Sequence, residues 1–182
     1  ITPALTWATT VFPIAQVGAT PVLVDVGLDT YNMSLEAMER AITPRTRAIM
    51  PVHLLGNPCH LWNIMQCAAI HHLKVVEDAC EAHGATLDGY KAGNWGDLGT
   101  FSFFFSHHIS TIEGGIIVTS NEQLAELCRS KRAFGWIRER SNKETIAAEY
   151  PAIDPRFLFL DPGYNMRPTE IQGAFGIHQL PR

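Results

Sequence analysis

Lysine is the scarcest charged residue in this chain: its 182 residues include only four, at positions 74, 91, 131 and 143. The formal net charge is −4 and no long basic run occurs, which argues against nucleic acid or an anionic membrane as the main partner. No apolar stretch approaches the ~20 residues that span a bilayer, and the opening residues show no charged region followed by an apolar signal core. A cytoplasmic protein is therefore expected. The four cysteines, at 59, 67, 80 and 128, form no CxxC pair and are too sparse for a disulfide framework, so buried free thiols are expected. Internal repeats and low-complexity segments are also lacking. The remainder, 46% hydrophobic and 18% charged, suffices for one substantial core, and nothing marks a second domain.

What is present alternates in period. Residues 21–26, 48–53 and 74–78 are short apolar runs with turn or charged boundaries, as expected for strands covered on both faces. Helical patterns separate them. Residues 34–42 open on a capping serine and put Leu35, Met38 and Ile42 on one stripe. Residues 61–72 read the same way, as do 121–132, which open on an Asn cap and are expected to turn Leu124, Leu127 and Cys128 inward. The rhythm is that of an α/β sheet. Asp88-Gly89 between short extended arms predicts a hairpin over 85–93, and 137–163 reads as a long polar excursion. A helix is expected over 168–180, with Pro168 near its first turn.

Chemistry-bearing residues fall where strands end. Val75-Val-Glu-Asp78 delivers a carboxylate to the sheet edge at which open parallel sheets bind ligands. Thr100-Phe-Ser-Phe-Phe-Phe-Ser-His-His-Ile-Ser-Thr-Ile-Glu-Gly-Gly115 is a strand-like apolar run ending in two histidines and a glycine pair. Taken singly, these features have plain structural readings. A strand-terminal Asp caps the next turn, a lone Trp packs in a core, a Gly-Tyr-Asn triplet makes a turn, and a lone His packs against a sheet.

Together the motifs resemble the DegT/DnrJ/EryC1/StrS sugar aminotransferase family, which depends on pyridoxal phosphate. Its cofactor-lysine segment runs Ser-Phe-x-x-x-Lys and continues after five residues to Glu-Gly-Gly; here Ser102 and Glu113 keep that spacing and His107 stands in the lysine slot. A histidine cannot form a Schiff base but can shuttle protons near neutral pH. None of the four lysines is expected to replace it; Lys74, for example, begins the strand whose other end carries Asp78.

The resemblance implies an α/β fold with a mostly parallel sheet and flanking helices, the large domain of fold type I pyridoxal phosphate enzymes. Residues 1–182 would form part of that domain, opening within its first helix, with the small C-terminal domain absent. It also implies site roles: Asp78 beside the cofactor ring nitrogen, Glu81 near the ring hydroxyl, Trp7 stacked on the ring and Ser102 on the phosphate. Asn165, in Gly163-Tyr-Asn165, would reach the phosphate of a neighbouring subunit, making a homodimer with shared active sites.

With His107 as base and then acid, the implied activity is that of a lyase: 3-dehydration of a nucleotide-linked 4-keto-6-deoxy sugar, GDP-4-keto-6-deoxymannose favoured. Pyridoxamine phosphate would be the working cofactor, recharged by glutamate, with no metal. His108 has only a structural reading. A competing branch dehydrates a CDP-linked sugar with an iron–sulfur cluster. Cys80 matches its first cysteine, but the other three positions fall near Arg138, Arg140 and Ala148, and a cluster needs all its thiolates. A sugar-nucleotide aminotransferase and a non-catalytic relative that keeps the fold as a binding module remain as alternatives.

Overall fold

The computed structural model describes residues 1–180. In chain order these form β1 (Thr2–Pro3), α1 (Ala8–Gln16), β2 (Leu23–Val24), α2 (Leu35–Arg40), β3 (Ala48–Ile49), α3 (Leu61–Ile70) and β4 (Lys74–Asp78). A hairpin of β5 (Thr86–Leu87) and β6 (Tyr90–Lys91) follows, then β7 (Leu98–Ser102), β8 (Gly115–Val118), α4 (Glu122–Arg132), α5 (Lys143–Glu149) and α6 (Glu170–Gln179).

β1 and β2 pair in parallel, and a second sheet has the order β3-β4-β7-β8. Only its β7–β8 pair is antiparallel. Backbone bonds from the Ile1 nitrogen to the Ala48 carbonyl (2.9 Å) and from Met50 N–H to the Ile1 carbonyl (2.8 Å) lay β1 beside β3. The strands thus form one surface in the order β2-β1-β3-β4-β7-β8. After β1 the chain moves outward to β2 and then returns to β3 on the other side, so the carboxyl ends of β1 and β3 flank a point where strand order reverses. Open α/β sheets bind ligands in the crevice at such a point.

The main core packs Met38 of α2 and Leu61 and Ile64 of α3 against Val24, Ile49 and Val75 of the sheet. Ser34 caps α2 by accepting from Ala37 N–H, and Asn121 caps α4 by accepting from Leu124 N–H, as the sequence pattern predicts. The hairpin turn has positive φ at both Asp88 (51°) and Gly89 (83°), the geometry that favours Asp-Gly.

Several expectations need correction. The described chain opens on a strand, and α1 was not anticipated, because Pro13 and a β-branched run obscure its helical stripe. The apolar run after Thr100 leaves the sheet at Ser102, and edge strand β2 exposes Leu23 in this chain. The buried positions of α4 are Glu126 and Ser130, not Leu124, Leu127 and Cys128, which are half-buried. Glu126 is drawn in by Ser141, whose N–H and hydroxyl both donate to it at 2.8 Å. The polar excursion contains α5 and a small core of its own, formed by Ile137, Ile146 and Leu158. Pro168 precedes α6, whose cap is Thr169 in a capping box with Gln172.

Candidate active site

The site begins with Asp78, the last residue of β4 and 9% exposed. Its backbone is fixed on both sides, with its N–H donating to the Pro51 carbonyl (2.9 Å) and its carbonyl accepting from His53 N–H (3.0 Å). Its carboxylate is held too. Thr10 Oγ1 donates to Oδ2 at 2.7 Å, and Cys80 N–H donates to Oδ1 at 3.2 Å. A carboxylate has about four acceptor sites, so each oxygen keeps capacity for a further donor at the sheet edge.

Trp7 immediately precedes α1, and its carbonyl accepts Thr10 N–H at 3.0 Å. Trp7 is 77% exposed, so it packs in no core among the described residues. The start of α1 and the residue that caps it therefore carry both an open aromatic face and the hydroxyl that grips Asp78.

Ser102 ends β7, paired with Gly115 of β8. Its Oγ accepts from Phe104 N–H at 3.1 Å, which leaves the hydroxyl hydrogen available to an anion. Its carbonyl receives His83 Nε2 at 3.0 Å, and the His83 ring lies between Phe101 and Phe103.

His107 is half-buried on the loop between β7 and β8. Its N–H donates to the Phe104 carbonyl at 3.0 Å, and its ring meets the Phe104 ring edge-on at 6.4 Å. Among the described residues no hydrogen bond engages its ring nitrogens. The loop itself is held from two sides: Thr111 N–H returns to the Phe103 carbonyl at 2.9 Å, while from α6 the Gln172 amide donates to the Glu113 carbonyl and Gln179 pairs with the Ser110 backbone. His108 is exposed.

Among the described residues no hydrogen bond joins Ser102 or His107 to Asp78, and the two other expected residues are likewise engaged elsewhere. Glu81 accepts Leu55 N–H at 2.7 Å, bracing the loop after β3, where Leu55 has a φ of 51°. Asn165 is exposed, bridges to Ala133 and accepts from Arg167 Nε at 3.3 Å. The lysines are engaged elsewhere. Lys74 pairs with Asp97 at 2.7 Å, at the far end of β4 from Asp78; Lys91 and Lys131 donate to the Gly84 and Pro162 carbonyls; and Lys143 lies 3.9 Å from Glu144. Burial, then the Asp78 charge, pushes the Cys80 thiol up to about 12. In this setting it is an inert neighbour of the site.

Beneath Asp78 lies a buried pair that residue-by-residue reading missed. His53 Nε2 and Glu77 Oε2 are 3.0 Å apart and both side chains are fully buried. His53 Nδ1 accepts Cys59 N–H, so the network assigns the ring proton to Nε2, which donates to Glu77. Glu77 also accepts N–H groups from Gly93, Trp95 and Gly96 at 2.7–2.8 Å, tying the turn before β7 to β4.

The sequence profile of the DegT/DnrJ/EryC1/StrS aminotransferase family matches residues 1–182. The chain belongs to that family. GDP-4-keto-6-deoxy-D-mannose 3-dehydratase of Yersinia pseudotuberculosis is 43% identical over the whole chain, which covers 47% of that protein. GDP-perosamine synthase of Caulobacter vibrioides is also 43% identical, with 45% of its length covered. A crystal structure of GDP-4-keto-6-deoxymannose 3-dehydratase with a trapped PLP–glutamate geminal diamine superimposes with a TM-score of 0.86 at 38% identity, over 99% of this chain and 47% of that one. The chain thus spans about half the length of the relatives it matches, and the α/β sheet read from the sequence is the fold of DegT/DnrJ/EryC1/StrS enzymes. The dehydratase and the perosamine synthase are equally similar to this chain.

Proposed function

We propose that this chain is part of a pyridoxal phosphate–dependent sugar-nucleotide enzyme, and that its reaction is 3-dehydration of a nucleotide-linked 4-keto-6-deoxy sugar, GDP-4-keto-6-deoxymannose favoured. The observation that carries this choice is the histidine at position 107, on the loop that leaves Ser102, in a chain whose four lysines are all engaged elsewhere.

The residues present fit the cofactor. Asp78 has acceptor capacity left and an open sheet edge, as a protonated ring nitrogen requires; Trp7 offers an exposed face for the ring; and the Ser102 hydroxyl can donate to the phosphate. Bound as pyridoxamine phosphate, the cofactor would supply an amine for the C4 carbonyl of the sugar and a ring that draws electrons from the adjacent bonds. Asp78 would keep the ring nitrogen protonated. Trp7 would hold the ring's plane, and Glu81 would lie near its hydroxyl edge. His107 would remove a proton from the carbon bearing the amine and give one to the departing C3 hydroxyl, serving as base and then acid.

Asn165 would serve the phosphate of a second subunit. Glutamate is the proposed amino donor, in keeping with the adduct found in the related dehydratase. Borohydride reduction of the complete protein with pyridoxal phosphate, followed by mass spectrometry, is expected to find no cofactor-modified lysine. A stoichiometric adduct on any lysine would contradict the dehydratase reading and favour an aminotransferase.

A further inference from the structure

We infer that Thr10 is a positioning residue for Asp78, through a chain of hydroxyls that runs from Thr6 to the carboxylate. The inference rests on the proposed role of Asp78 at the cofactor ring nitrogen.

Thr10 is 2% exposed, and its Oγ1 lies 2.7 Å from both Asp78 Oδ2 and Thr6 Oγ1. A threonine hydroxyl has one hydrogen, and an ionised carboxylate only accepts. Thr10 therefore donates to Asp78 and receives from Thr6, so the direction of the chain is fixed. A hydroxyl-to-carboxylate bond of this length is of the strong, charge-assisted kind. With Cys80 N–H on the other oxygen, the carboxylate cannot rotate without breaking a bond.

The placement matters as much as the bond. Trp7 is the residue that caps α1 and its carbonyl accepts Thr10 N–H, so the start of one helix would set both the carboxylate that meets the edge of a planar ring and the indole that meets its face. Catalytic groups need this support to stay within about 0.5 Å of working geometry. Among the described residues the Thr10 hydroxyl hydrogen goes to Asp78, and the oxygen receives Thr6. Valine has nearly the same shape, so hydrophobic packing at this position does not explain a hydroxyl that spans 68 residues to reach Asp78.

The test uses the complete protein with Thr10→Val, Thr10→Ser and Asp78→Asn in parallel. Pyridoxamine phosphate affinity is read by quenching of tryptophan fluorescence, ring-nitrogen protonation by the absorption band of the bound cofactor, and folding by apoprotein melting. Thr10→Val is expected to weaken binding about ten-fold, the range for losing one hydrogen bond to a charged group. It should also shift the band toward the unprotonated ring, and Thr10→Ser should restore both. Wild-type affinity and spectrum in Thr10→Val, with Asp78→Asn impaired, would overturn the inference and leave the Asp78 role standing. An Asp78→Asn variant that binds and absorbs as wild type would remove the Asp78 role and the inference with it. Should Thr10→Val fail to fold, Thr6→Val at the half-buried head of the chain takes its place: a weaker shift in the same direction supports the inference, and no shift overturns it.

Discussion

His107→Asn in the complete protein is expected to lower dehydration by about 10²–10⁴-fold, the usual worth of a positioned general base, while cofactor affinity stays near wild type. His107 lies on the β7–β8 loop, whose fold depends on backbone bonds and on the glutamines of α6 rather than on the imidazole. Asparagine keeps a polar side chain of similar size but cannot titrate near neutrality. The loss should therefore appear in the chemical step, measured as product formed at saturating substrate. Normal turnover would return His107 to a packing role against Phe104.

The second large effect concerns stability. Glu77→Ala should destabilise the fold by about 3–5 kcal/mol, because it removes the acceptor of four donors, at about 1–3 kcal/mol for each buried one left unsatisfied. The substitution strands the buried His53 ring and Gly93 amide and the half-buried Trp95 and Gly96 amides. Glu77→Gln should fall between the two, because one carboxylate oxygen serves Trp95 and Gly96 while the other serves His53 and Gly93. An amide can offer an oxygen to only one of these pairs. Urea denaturation of the complete protein measures the loss, and a change below about 1 kcal/mol would mean that the pair contributes little.

The same network fixes a pH dependence. Burial acts to raise the Glu77 carboxyl, but the His53 hydrogen bond and the Gly96 and Gly93 amides outweigh it and hold the group below its ordinary value. A depressed carboxyl stabilises the fold fully above its unfolded value, near ~4.3. That stabilisation is lost as pH falls through the folded value.

The legible parts of this protein were those whose signals are local. Ser34 and Asn121 announce helix starts because a cap acts within three residues, and Asp88-Gly89 announces a turn because its two backbone angles are set by those residues alone. Asp78, Ser102 and His107 stood out because they end or follow strands inside contiguous motifs. Thr10 did not, since its partner lies 68 positions away and its helix contains Pro13. Glu77 and Glu126 were hidden for a different reason. Charge in an alternating or amphipathic pattern reads as a solvated face, and only the assembled fold shows the amides and hydroxyls that make burial tolerable.

On the proposed function, the histidine at 107 turns an aminotransferase framework toward dehydration. The most direct measurement supplies the complete protein with pyridoxamine phosphate, GDP-4-keto-6-deoxymannose and glutamate, without iron or a reductase, and identifies the sugar product by mass spectrometry. The expected result is a 3-deoxy-4-keto sugar formed together with 2-oxoglutarate and ammonia. A 4-amino sugar as the product, or a 3-deoxy product that forms only when a reductase is added, would contradict the claim.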